Sequence, residues 1–281
     1  MKSAEELNRL VDQSVNGNRN ALELLLMEIQ NPVYKMALKM LWCPADAEDA
    51  TQEILIKVLT HLGSFRKESS FKNWVFRIAA NHLTTNRKRM SEETTINKKS
   101  YFQKLEEGPD SSCLKETFSS EELLLIEEIK LSCLHGLLIF LDRNLRIAFV
   151  LGEIFQVSGE EGAIILEISE AAYRKRLERA RKKIGNFLTT TCGLVNPGNP
   201  CRCENMMDFA VETQWIDPDN LFFINHPCKE KKCKEQVENL HEFTELGRIA
   251  SLYRNQPEFI APSSFTESVK ALVESGRYEL L

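Results

Sequence analysis

The apolar residues of this chain recur with the period of a helix, and no stretch alternates as a half-buried strand must. Leu55, Val58, Leu59 and Leu62 stand at i, i+3, i+4 and i+7, and Phe71, Trp74, Val75 and Ile78 repeat that spacing. Each set makes one stripe on a helix of 3.6 residues per turn. The expected fold class is therefore all-α. At 281 residues the chain is long enough for two or three small domains. Two breaks divide it. Ser91 to Ser120 is polar and carries Gly108-Pro109-Asp110, and Cys192 to Pro200 holds two prolines and two glycines that no continuous helix tolerates. The expected modules are helical domains at 1–90 and 123–190, a linker at 91–122, and a small C-terminal extension at 191–281.

The net charge of −5 argues, as an average, against a nucleic-acid binder, but the charge is unevenly placed. Residues 1–89 hold thirteen Lys and Arg against ten Asp and Glu, whereas residues 192–281 hold nine against fourteen. The first module is basic and the extension acidic. The N-terminus lacks the basic-then-apolar pattern of a signal peptide, and no apolar run approaches the roughly 20 residues of a membrane span, so a cytoplasmic location without membrane partners is expected. In that compartment the eight cysteines read as thiols or metal ligands before disulfides.

In the first module, Pro44-Ala45-Asp46-Ala47-Glu48-Asp49 opens a helix, proline in its first turn and acids at the positive end of the dipole. Asp49, Gln52, Glu53 and Lys57 then lie opposite the leucine stripe. The next helix, from Ser70 to Leu83, sets Lys72, Asn73, Arg77 and Asn81 away from its core stripe and runs into Arg87-Lys88-Arg89. Cations and amides on one face suit phosphates and base edges. Trp74 shares the apolar stripe with Phe71 and Ile78 and reads as core rather than as a platform for unpaired bases.

In the second module, Ser158 with Glu161 is a capping box for a short helix, Gly159 to Leu166. A tight break at Glu167-Ile168 leads to Ser169, an N-cap for a second helix from Glu170 to Phe187. Together they form a helix-turn-helix, the second helix carrying Arg174, Lys175, Arg176, Arg179, Arg181, Lys182 and Lys183.

The blocks Asp46-Ala47-Glu48-Asp49 through Gln52-Glu53, and Phe71-x-x-Trp74-x-x-x-Ile78-Ala79-x-Asn81, resemble region 2 of the sigma-70 family, extracytoplasmic-function group. Leu145 to Leu151, Ser158 to Leu166, and Tyr173-Arg174-Lys175-Arg176-Leu177-x-Arg179 resemble region 4 of the same family. The resemblance implies a sigma factor, often of stress responses, whose partners are core RNA polymerase through its β′ clamp and β flap, promoter DNA and an anti-sigma factor. By that resemblance Asp49, Gln52 and Glu53 meet the clamp helices. Lys72, Asn73, Arg77, Asn81, Lys88 and Arg89 face the −10 element, with the Ser64 to Ser69 loop holding a flipped base. Ser169, Tyr173, Arg174, Lys175, Arg176 and Arg179 face the −35 element. There are three departures. Thr85 stands where an acid is usual, Gly162 replaces an apolar residue, and Glu167 occupies a turn position where glycine is common.

The extension concentrates Cys192, Cys201, Cys203, Cys228 and Cys233 near His226. Cys192, Cys201, Cys203 and Cys228 are candidate zinc ligands, although the spacing is that of no standard finger and reduced structural or redox-active thiols are the equal alternative. The pattern Cys-Gly-Leu-Val-Asn-Pro with Pro200-Cys201-Arg202-Cys203 looks like extensions of some members of the group. An autonomous helix-turn-helix regulator would explain only the second module. A thiol enzyme finds no accompanying catalytic constellation, and no enzyme activity is expected.

Overall fold

The structure, a computed structural model, describes residues 2–85, 117–226 and 245–262, with residues 105, 107, 265, 267, 268 and 271 besides. Among them the regular structure is helical apart from isolated bridge residues, the pair Cys192 and Cys201 and also Phe259, so the all-α expectation holds. We number the helices α1 (Ala4–Val15), α2 (Arg19–Leu41), α3 (Pro44–Thr60), α4 (Phe71–Thr85), α5 (Ser120–Ile139), α6 (Arg143–Phe149), α7 (Gly159–Leu166), α8 (Glu170–Thr191), α9 (Met207–Glu212) and α10 (Glu245–Arg254). A π-helical turn, Val150–Ile154, continues α6. Candidate residues Lys88, Arg89 and Cys228 lie outside the described residues.

Packing divides the chain into two units that cut across the sequence modules. The first joins residues 1–87 to 157–174 and to residues from 258 onward, and the second joins 88–156 to 175–257. The C-terminal extension is thus shared between the units.

In the first unit α1 to α4 enclose one core. Leu25, Leu26, Val33, Tyr34, Met36 and Met40 of α2 are fully buried against the stripes foreseen on α3 and α4. Reciprocal capping starts α1, where Ser3 Oγ accepts from the Glu6 N–H and Glu6 accepts from the Ser3 N–H. Trp74 is 6% exposed and stacks with Phe71 at 5.7 Å between ring centroids, with Phe65 packed on both, so it is core as expected. Lys39 is buried in α2 with its ammonium unpartnered, and burial holds its pKa well below the ordinary value. Residues past Glu258 return to this unit: Phe259 and Ala261 are buried, and the Ala261 N–H donates to Asn31 Oδ1 of α2 at 3.1 Å.

In the second unit α5 and α6 form a hairpin closed by Arg146, whose buried guanidinium donates to the carbonyls of Leu138, Ile139 and Leu141 at the unpaired end of α5. The extension packs on this frame. The Glu128 carboxylate of α5, 2% exposed, accepts the N–H groups of Phe223 and Ile224 at 2.9 Å. His135 stacks on Phe223 at 4.4 Å, and Tyr253 of α10 meets Phe149 edge-on at 5.3 Å.

The helix-turn-helix forms as its caps dictate. Ser158 and Glu161 make the reciprocal box, Glu167 ends α7 in the left-handed region at φ 52°, and Ser169 Oγ accepts from the Ala172 N–H to start α8. A side chain in that region costs about 1–2 kcal/mol that glycine does not pay. We expect Glu167→Gly to stabilise the protein by about 1 kcal/mol, read as a higher denaturation midpoint; a lower midpoint would show the turn is not strained.

Candidate nucleic-acid interface

Three helices present the charged faces. On α3, Asp49, Gln52 and Glu53 are exposed opposite the buried Ile54, Leu55 and Val58, as the stripe requires. A residue the sequence reading passed over ties this helix to α4. His82, 3% exposed, lies with Nδ1 2.9 Å from Lys57 Nζ and Nε2 3.3 Å from Glu53 Oε2. A Lys57 ammonium donating to Nδ1 leaves the hydrogen on Nε2, which then donates to Glu53. The imidazole thereby bridges two exposed residues of α3 from within the α4 core face. The only sequence signal was a polar residue on an otherwise apolar stripe.

Along α4, Asn81 is exposed, Lys72 and Arg77 are half-buried, and Asn73 is only 8% exposed. Asn73, expected on the side of α4 away from its core stripe, is buried there by α7. Its Nδ2 donates to Glu161 Oε1 of α7 at 3.4 Å, and Arg77 lies 3.8 Å from Glu167. The Ser64 to Ser69 loop begins with a short 3-10 turn, Leu62–Ser64, and Lys67 within it takes positive φ and pairs with Asp12 at 2.6 Å.

On α8, Arg174, Lys175 and Arg179 are exposed and Arg176 half-buried, with Arg174 paired to Glu170 one turn before it. Within the second unit Arg176, Arg179, Lys182 and Lys183 line a cleft of about 600 Å³ together with Asp142, Asn144 and Asn186. Four cations around one concave surface suit phosphate oxygens. Tyr173 is corrected: it is fully buried, and its ring fills the space over Gly162, where an added Cβ would lie 2.3 Å from Cζ. Tyr173 and Gly162 are thus one packing solution, the missing side chain of one making room for the ring of the other. Tyr173 is a core residue and not a base contact.

Arg181 points elsewhere. Its Nε donates to Glu153 Oε1 at 2.6 Å, and Glu153, on the π-helical turn and 6% exposed, also accepts from Arg254 of α10 at 3.3 Å. The Arg254 Nε additionally donates to the Glu153 carbonyl at 2.7 Å. One buried carboxylate thus joins α8 to the extension through two guanidiniums. Sequence spacing had no means of pairing residues about a hundred positions apart.

The candidate zinc ligands Cys192, Cys201 and Cys203 are drawn together at the end of α8, where the Gly193 N–H donates to the Cys201 carbonyl at 2.9 Å. Cys133 of α5 stands near them. Burial pushes the thiol of Cys201 up to about 12 and that of Cys203 well above its ordinary value, with the neighbouring sulfurs adding to both. The three cysteines thus share one packed corner. Among the described residues no group of three or more His, Cys, Asp or Glu is placed to hold a metal ion. No helix among them is long and apolar enough to cross a membrane.

Two family models match the segments that carry these helices. Residues 25–91 match the family model of Sigma-70 region 2, and residues 131–184 that of Sigma-70, region 4. The RNA polymerase sigma-H factor of Pseudomonas aeruginosa is 30% identical over 193 residues, which cover 67% of this chain and 96% of the relative. The ECF RNA polymerase sigma-E factor of Escherichia coli K12 is 32% identical over 183 residues, covering 63% and 91%. Among solved structures, the sigma factor RpoE in complex with the anti-sigma factor NepR from Bartonella quintana aligns with 58% of this chain and 94% of that chain, at 19% identity and a TM-score of 0.39. With both family regions matched in order and a relative covered almost end to end, the chain belongs to the sigma-70 family, in its extracytoplasmic-function group.

Proposed function

We propose that this protein binds core RNA polymerase and directs it to promoters by reading a −10 element with α4 and a −35 element with α8, catalysing no reaction itself and acting in the cytoplasm. The observation that carries the reading is the exposed cationic strip of Arg174, Lys175 and Arg179 on the second helix of a fully capped helix-turn-helix. The α3 face with Asp49, Gln52 and Glu53 is assigned to the β′ clamp, and the regulatory partner is an anti-sigma factor.

The test is run-off transcription with purified core polymerase on a genomic template library. Defined starts that need this protein are expected. Specific duplex binding by the protein alone, with no effect on core, would mark an autonomous regulator instead. Each phosphate neutralised contributes about −0.9 to the slope of log affinity against log salt. Replacing Arg174 and Arg179 with alanine should therefore flatten the slope for −35 duplex binding by about 1 to 2. An unchanged slope would return this strip to a merely solvated face.

A further inference from the structure

The N-terminal part of the α4 face assigned above to the −10 element, from Lys72 to Arg77, is partly covered, within its own packing unit, by the first helix of the helix-turn-helix. Asn73 is buried there, its amide donating to Glu161 at 3.4 Å, and Arg77 lies 3.8 Å from Glu167. Lys72 lies near enough to Glu161 to attract it, its ammonium standing 5.3 Å from the centre of the Phe76 ring. The carboxyl of Glu161 is held below its ordinary range first by the Ser158 N–H and then by Asn73 and Lys72. An amide donor, a guanidinium and an ammonium thus meet two carboxylates. The same donors would meet base acceptors and phosphate oxygens on a promoter.

We propose that the acidic edge of α7, Glu161 and Glu167, is an intramolecular stand-in for promoter DNA that occupies the α4 face of the free protein. The inference rests on the −10 reading of α4 and deepens it by naming what competes for that face. Exposed pairs of this kind are each worth a factor of about 1.4 to 5, so the cover is light. It lowers apparent DNA affinity by the fraction of molecules that are closed. A partner that holds α7 elsewhere removes the cover. The mutual screening also keeps α4 from collecting non-specific nucleic acid.

The test uses the full chain with Glu161→Gln and Glu167→Gln together. Glutamine at 161 preserves the capping box, so α7 keeps its start. The probe is a labelled 12-nucleotide single-stranded DNA of mixed sequence at low salt. The double variant is expected to bind it about ten-fold tighter than the wild type. A control, Glu5→Gln with Glu212→Gln, removes the same net charge from exposed sites and should change affinity less than about two-fold. In parallel, a carbodiimide couples the Lys72 ammonium to the Glu161 carboxylate as an amide with loss of water. That cross-linked peptide is expected in the free wild type and is lost on binding core polymerase. Equal affinity of wild type and double variant, both binding the probe, overturns the inference and leaves the −10 reading standing, and so does a gain no larger than the control's. A cross-link with no DNA binding by either chain overturns the −10 reading itself, and the inference with it.

Discussion

Alanine at Asn81 together with Arg77 should lower open-promoter formation about 30-fold or more while leaving the affinity for core polymerase within about two-fold. A base or phosphate contact of this type is worth about 1–3 kcal/mol, so losing two of them removes about 2 kcal/mol or more. Asn81 carries the larger share, because Arg77 already spends part of its charge on Glu167 in the free protein. Alanine at Gln52 with Glu53 should do the reverse, since these side chains stand on α3, away from the α4 face. Glu53 has a second cost. Its loss deprives the buried His82 of a polar partner, so its variant should also melt slightly earlier than that of Gln52. Permanganate reactivity of unpaired thymines measures opening, and fluorescence titration with labelled core measures binding. Equal loss of both activities in both variants would show that the faces are misassigned.

The second large effect concerns stability. Glu128→Ala removes the buried acceptor of the Phe223 and Ile224 N–H groups, and each unsatisfied donor costs about 1–3 kcal/mol. The melting temperature should fall by about 10 °C. Glu128→Gln should fall less, its one remaining oxygen still accepting a bond. The pH dependence separates the carboxylate from mere packing. Burial raises the Glu128 pKa above its ordinary 4.5, outweighing the lowering by the N–H groups of Phe223, Ile224 and Phe222. A folded pKa above the unfolded one means the folded chain binds more protons, so this residue's contribution is complete below about pH 4.5 and declines as pH rises through the folded value. Wild-type stability should therefore carry a component that falls with pH just above 4.5 and that Glu128→Gln lacks. Matching profiles for the two chains would remove Glu128 from the account.

The local features of the fold were legible because their causes are local. Ser158 with Glu161, Ser169, and the turn at Glu167 are set by neighbours three or four positions away, and each forms as the sequence requires. The apolar period placed Trp74 in the core. What escaped depends on distant partners. Tyr173 looks like a base reader beside three cations, and only the empty space at Gly162 explains its burial. Asn73 shares the polar side of α4 with Asn81, but α7 covers one and leaves the other exposed. The extension reads as a separate acidic module. Its charge is indeed acidic, yet Phe223, Arg254 and Ala261 answer to Glu128, Glu153 and Asn31, each about a hundred or more residues earlier. Cys133 likewise joins the thiol corner from a helix with no cysteine motif of its own.

The bond between Glu128 and Phe223 spans 95 residues, and that separation is also an interval of time. A ribosome adding about 5–20 residues per second takes roughly 5–20 s to pass from one to the other. During that interval α5 has left the site of synthesis while its acidic group still waits in water for the amides that will enclose it. Region 4 of a nascent chain is thus complete in sequence before it is complete in packing. Arg254 arrives later still, and with it the second guanidinium on Glu153. A chain interrupted before Phe223 therefore leaves the Glu128 carboxylate without the Phe223 and Ile224 amides, and Glu153 with Arg181 but not Arg254.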